Sequence, residues 1–214
     1  MPQIFHPSTN TIARVSLFGA LFLLGGALWV LVTVQRSSYM TGQGVPPEQP
    51  VPFSHQHHVG GIGLDCRYCH TSVETSPFAG IPPTQTCMNC HSWLWNDSPA
   101  LAPVRESAKT GRSLEWVRVH NLADFVYFDH SVHIAQGVAC VTCHGHVDRM
   151  PLVWKSASLQ MEWCLECHRH PERNLSPRDA VFKMDSPSPP SGRSERLAKL
   201  YKVKTRTDCS TCHR

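Results

Sequence analysis

Ten cysteines lie in this 214-residue chain, and all ten fall within five copies of one pentapeptide, C-x-x-C-H: Cys66–His70, Cys87–His91, Cys140–His144, Cys164–His168 and Cys209–His213. Two thiols at this spacing, followed at once by an imidazole, form the pattern that attaches a c-type haem. Thioether bonds to the porphyrin vinyl groups would come from Cys66 and Cys69, Cys87 and Cys90, Cys140 and Cys143, Cys164 and Cys167, and Cys209 and Cys212. The adjacent His70, His91, His144, His168 or His213 is then held beneath the iron as proximal ligand. C-x-x-C also serves zinc ribbons, redox dithiols and disulfides. Zinc needs two such pairs per site and would leave one pair over; neither zinc nor a disulfide calls for a histidine after every second cysteine. The motifs predict five covalently bound haem c groups.

An internal repeat supplies the second axial ligands. Phe53–His58 (FSHQHH) precedes Cys66, and Phe128–His133 (FDHSVH) precedes Cys140, so both have the form F-x-H-x-x-H. The offsets His55 to His130, His58 to His133, Cys66 to Cys140 and Cys87 to Cys164 are 75, 75, 74 and 77 residues. A duplicated di-haem module accounts for all four. Residues three apart share one face of a helical turn, so a single turn can ligate two haems and hold them close. An isolated histidine is more often a solvated or core imidazole. The matched repetition assigns His55, His58, His130 and His133 as distal ligands.

The fifth haem lies outside the duplication and needs one more ligand. His120, shortly before the second ligand turn, is the first choice; Met161 or Met150 is the alternative, and a thioether there would raise that haem's potential. Methionines packed in a core are the competing reading. His146 and His170 lie two residues past a proximal histidine, and His57 sits beside a better-placed pair. Every motif ends in His and distal candidates are in surplus, so no haem is left open for substrate. The chain reads as an electron carrier, not an enzyme on its own.

The elements that position these sites follow from composition. Val15–Val34 is twenty residues without a charge, bracketed by Arg14 and Arg36, long enough to span a bilayer core. No small-residue cleavage site follows it, so an uncleaved anchor is expected. Residues 1–14 would be cytoplasmic, and the haem domain would lie on the periplasmic, outer side of a bacterial cytoplasmic membrane. Residues 35–52 include a Pro-rich connector, Thr41–Pro52, expected to run extended as a spacer. Di-haem modules follow at 53–125 and 126–185. A second break, Ser186–Arg193, leads into a tail (186–214) with a helix expected over Ser194–Lys202, capped by Ser194, before the last motif. With 17 Pro, 13 Gly and few aromatics, the soluble part cannot build a large core from side chains alone. The fold class expected is a multihaem cytochrome c: mostly short α-helices after each motif, and loops, packed around five haems, with one N-terminal transmembrane helix. The formal charge of +4 is offset by haem propionates, and scattered Lys and Arg give no nucleic-acid footprint.

Through FSHQHHVGGIGLDCRYCHTSVE, AGIPPTQTCMNCHSWLW, WVRVHNLADFVYFDHSVHIAQGVACVTCHGHVDRM, LQMEWCLECHRHPE and the terminal CSTCHR, the chain resembles the pentahaem cytochrome c subunit of bacterial alternative complex III. The resemblance covers essentially the whole chain. It implies electron flow from an integral-membrane quinol-binding subunit, through an iron–sulfur subunit, to these haems and on to a monohaem cytochrome c or another periplasmic acceptor. The competing reading is a membrane-anchored multihaem quinol dehydrogenase that feeds a periplasmic reductase. The Pro-rich spacer weighs against it, because such proteins place a haem near the membrane face.

Overall fold

A computed structural model describes residues 4–185 and 192–213. Most of the expected Ser186–Arg193 break therefore lies outside the described residues. The chain divides into two units, Met1–Gly42 and Gln43–Arg214.

The first unit is the helix Ser8–Arg36 and a short turn, Ser38–Thr41. Its 29 residues include the whole uncharged run, and none of its side chains is buried. At 1.5 Å per residue it is about 43 Å long, enough to cross a bilayer core and enter the headgroups. Its few hydroxyls bond back to the helix: Ser16 Oγ donates to the Ala13 carbonyl at 3.1 Å and Thr33 Oγ1 to that of Val30 at 2.9 Å. That removes their need for water, as an apolar surrounding demands. Gly42 ends the unit at φ +67°, a left-handed value that glycine adopts without steric cost.

In the second unit the helices are short and coincide with the motifs: Cys66–Cys69, Thr84–His91, Cys140–His144, Met161–Arg169 and Cys209–Cys212. Helices were expected after each motif; they lie on it instead, because the i to i+3 spacing of the two thiols and the turn that brings the histidine round are both helical. The tail helix runs Arg193–Leu200 with Gly192 at its N-cap, so Ser194 lies inside the helix and does not cap it. A helix at Ala102–Thr110, without a strong sequence signal, braces the second motif through a 2.7 Å hydroxyl contact between Ser107 and Thr84. Among the described residues there are isolated bridges but no strand.

Few apolar side chains are buried in this unit, the most complete being Leu175, Val104 and Val181. That core is sparse for a unit of this size, as expected of a fold organised around cofactors.

The expected spacer is a correction. From Gln43 onward it belongs to the second unit: Gly44 N–H donates to the Lys155 carbonyl at 2.9 Å, and Gln43 Nε2 to that of Ser156 at 3.0 Å. Gln49 exchanges two bonds with the Val117 backbone, at 2.8 and 3.0 Å, and Val51 is buried. Polar side chains able to pair with loop backbone outweigh the extended preference of the prolines. The length of this segment therefore carries no weight against the quinol dehydrogenase reading.

Candidate cofactor-binding centres

The two F-x-H-x-x-H segments fold almost alike. Phe53 meets His55 edge-on at 4.9 Å and stacks on His58 at 4.4 Å; Phe128 meets His130 edge-on at 4.8 Å and stacks on His133 at 4.4 Å. Each phenyl ring thus orients both imidazoles of its turn. Sequence reasoning used the phenylalanines only as landmarks, although their repetition was the available signal. The second turn is an α-helix, His130–Ala135, whose Asp129 carboxylate accepts from the amides of Ser131 and Val132. The first is wider, a π-helix over Gln56–Gly61, with Ile62 N–H reaching the His57 carbonyl at 3.0 Å. Near its end Gly60 lies against the Asp148 carbonyl so closely that a Cβ would clash. Gly60 is therefore required by packing between the two modules rather than by a turn.

Each of the four histidines expected as distal ligands faces one expected as proximal. Ring centroids are 6.4 Å apart for His55 and His70, 6.1 Å for His58 and His91, 6.3 Å for His130 and His144, and 6.1 Å for His133 and His168. With metal–imidazole bonds of about 2.0 Å on both sides, two trans rings stand roughly 6 Å apart. All four separations match that value. Interplanar angles split them into two classes: 4° and 14° for the His55 and His130 pairs, 66° and 60° for the His58 and His133 pairs.

Protonation suits ligation. A carbonyl oxygen can only accept, so a ring nitrogen bonded to one must carry the proton. Nδ1 donates to a carbonyl in His70 (Gly80, 2.7 Å), His91 (Leu94, 3.0 Å), His168 (Arg206, 2.8 Å) and His213 (Phe125, 3.2 Å). It does so also in His58 (Ser54, 2.8 Å), His130 (Pro77, 2.7 Å) and His133 (Asp129, 2.7 Å). In all seven the lone pair for a metal is left on Nε2, and the ring is fixed from behind. None of these carbonyl acceptors has a side-chain signature in the sequence. Burial, followed by the charge of neighbouring histidines, lowers His55 to about 4 and His144 to about 3, and burial also lowers His133. These imidazoles stay neutral, the form that binds a metal.

None of the ten cysteines forms a disulfide. Among the described residues no three or more His, Cys, Asp or Glu side chains group as a metal site. A porphyrin brings four nitrogens of its own and needs only the two imidazoles found here.

His120 is placed differently from expectation. Its ring rests on His144 at 4.2 Å, 66° between planes, with Nε2 buried and without a hydrogen-bond partner. Burial first, then Lys155, lowers it to about 4. It is thus brought to the third site, beside the His130–His144 pair, rather than to His213. A lone histidine in a loop carries no register signal, and only tertiary contacts decide where it lands. Met150 is buried beside Gly145, whereas Met161 is exposed at the start of Met161–Arg169. His146 and His170 lie within 3.3 and 3.6 Å of Asp148 and Glu172. His57 packs on Trp95 at 5.2 Å.

The model of the family described as cytochrome c7 and related cytochrome c matches residues 126–214, which hold the last three motifs. Over 168 residues the chain is 30% identical to the "Menaquinone reductase, multiheme cytochrome c subunit" of Nitratidesulfovibrio vulgaris, an alignment spanning 78% of this chain and 68% of that protein.

Proposed function

Because this chain belongs to the multihaem cytochrome c family, we propose that it is the electron-transfer subunit of a membrane quinol-oxidising complex, with five low-spin c-type haems and no catalytic site of its own. The four imidazole pairs at 6.1 to 6.4 Å carry this reading. When bound, haem iron supplies reversible one-electron exchange in which no atom is transferred. The chain's part is to tether each porphyrin, present two neutral imidazoles at four of the sites and exclude a substrate from the iron. Oxidation of one quinol to quinone releases two protons and two electrons at a partner, and the electrons enter here singly.

The partners that complete this reading are an integral-membrane quinol-binding subunit, an iron–sulfur subunit that delivers the electrons, and a monohaem cytochrome c or other periplasmic acceptor, as in alternative complex III. The helix Ser8–Arg36 anchors the chain, with the haem domain on the outer side of the membrane. The name of the Nitratidesulfovibrio protein supports a second reading, the same relay run toward menaquinone. The membrane-anchored quinol dehydrogenase remains the alternative in which this chain meets quinol itself.

At the fifth site we assign Met161 as the ligand opposite His213. His120 is engaged at His144 and Met150 is buried, whereas Met161 is exposed on the helix that carries Cys164, whose thiol neighbours Cys212. Met161→Ala should abolish the far-red thioether-to-iron band and lower one potential; an unchanged spectrum would return the position to a histidine.

Purification from native membranes in mild detergent, followed by addition of a quinol, tests the proposal. Haem reduction should require co-purified membrane and iron–sulfur subunits. Reduction of the isolated chain by quinol would establish the dehydrogenase instead.

A further inference from the structure

The five motifs are not wired in an order that can be read along the chain. Given the haem reading proposed above, we infer that the five sites lie in space in the order Cys87–His91, Cys66–His70, Cys140–His144, Cys164–His168, Cys209–His213, with the two modules joined through their first sites and the route ending at the second and fifth.

Four sets of contacts carry this. Within the first module, His55 and His58 hold the first and second sites on one turn, and Asn89 Nδ2 of the second motif donates to Tyr68 Oη of the first at 3.1 Å. The described bonds of the second site, to Tyr68 and to Leu94, stay inside that module.

Between modules, one loop fixes a ligand of each. Gly80 O accepts from His70, the proximal ligand of the first site, and Pro77 O from His130, the distal ligand of the third. On the other side one pair of residues spans the same junction, since Cys140 N–H donates to Val181 O at 3.1 Å and Cys66 Sγ lies 3.8 Å from Phe182 O. The thiols of Cys66 and Cys140 neighbour each other there.

Within the second module, His130 and His133 repeat the shared turn. The tail then docks on the fourth site: Arg206 O, three residues before Cys209, accepts from His168, the fourth proximal ligand. Tyr127 N–H reaches Cys212 O at 2.8 Å and Phe125 O holds His213, so the fifth motif is clamped against the strap that leads into the second ligand turn.

This order makes the ring angles symmetric about the junction: 66° and 4° on one side, 14° and 60° on the other. Near-parallel imidazole planes split the iron d orbitals strongly and give rhombic low-spin resonance; steeply crossed planes leave them nearly degenerate and give a much more anisotropic signal. The first and third sites therefore form one spectral class and the second and fourth another.

The test is electron paramagnetic resonance on the full chain in its native complex, with His58→Met, His55→Met, His130→Met and His133→Met made singly. Each thioether raises the potential of its site, as Met161 already does at the fifth, so reduction is carried one electron beyond that site; the altered site then becomes diamagnetic and uncouples from adjacent irons. Against the native chain with the fifth site reduced, His58→Met should change the lines of one other site, of the near-parallel class, His55→Met and His130→Met should each change two, and His133→Met should change one. Lines of two sites shifting in His58→Met, or of one alone in His55→Met, would overturn the order. If a variant loads fewer haems, a nitroxide on Leu94→Cys in the otherwise native chain replaces it. Its relaxation should be shortened most by a crossed-plane site and next by a near-parallel one; shortening by two crossed-plane sites would overturn the order equally. Absence of both classes from the native protein would instead sink the haem-ligand reading itself.

Discussion

A phenyl ring in contact with two imidazoles at once is the smallest unit of this design. Phe53 and Phe128 each touch both histidines of their turn, edge-on to one and stacked on the other. Both rings are half-buried, and their contacts set the orientation of the imidazoles they touch. Phe53→Ala should give a partial high-spin signal confined to the His70 and His91 sites, with the second module unchanged, and Phe53→Leu should restore most of the low-spin intensity. Loss at all sites together would mean that the ring stabilises the fold generally. At this scale the four facing imidazole pairs were legible because each C-x-x-C-H motif is contiguous and because the repeat set His55, His58, His130 and His133 apart. His120 was not, since its contact with His144 depends on chain folding far from its own sequence neighbours.

Elements repeat less faithfully than residues do. The motif helices could be anticipated in kind, but the first ligand turn widens to a π-helix where the second stays α. Packing of Gly60 on the Asp148 carbonyl explains the need for glycine there, and no local propensity announces it. Gly60→Ala must push the two segments apart, at a cost of about 1–3 kcal/mol. The midpoint of thermal unfolding of the haem-loaded chain should fall, and a midpoint equal to that of the native chain would show that the approach is not strained. The docked segment from Gln43 was equally hidden. Its prolines signalled an extended spacer, whereas Gln43 and Gln49 supply the side-chain bonds that fasten it to loop carbonyls.

The whole molecule has an apolar helix with no buried side chain and a haem unit with very few. The multihaem fold class and the N-terminal apolar helix were readable from the motifs and hydropathy, while the spatial order of sites was not, because every contact that sets it joins distant parts of the chain. So small a core implies that the soluble unit folds with its cofactors. Expressed without haem attachment, it should lack a cooperative thermal transition, and a cooperative one would contradict that dependence. The central claim is that this is a relay of closed, six-coordinate haems. Electron paramagnetic resonance of the oxidised protein, with haem counted per chain by alkaline pyridine spectra, tests it most directly. Five haems, all low-spin, with near-parallel and crossed-plane classes both present, are expected; a high-spin signal of one iron per chain would contradict it and point to a substrate-binding haem.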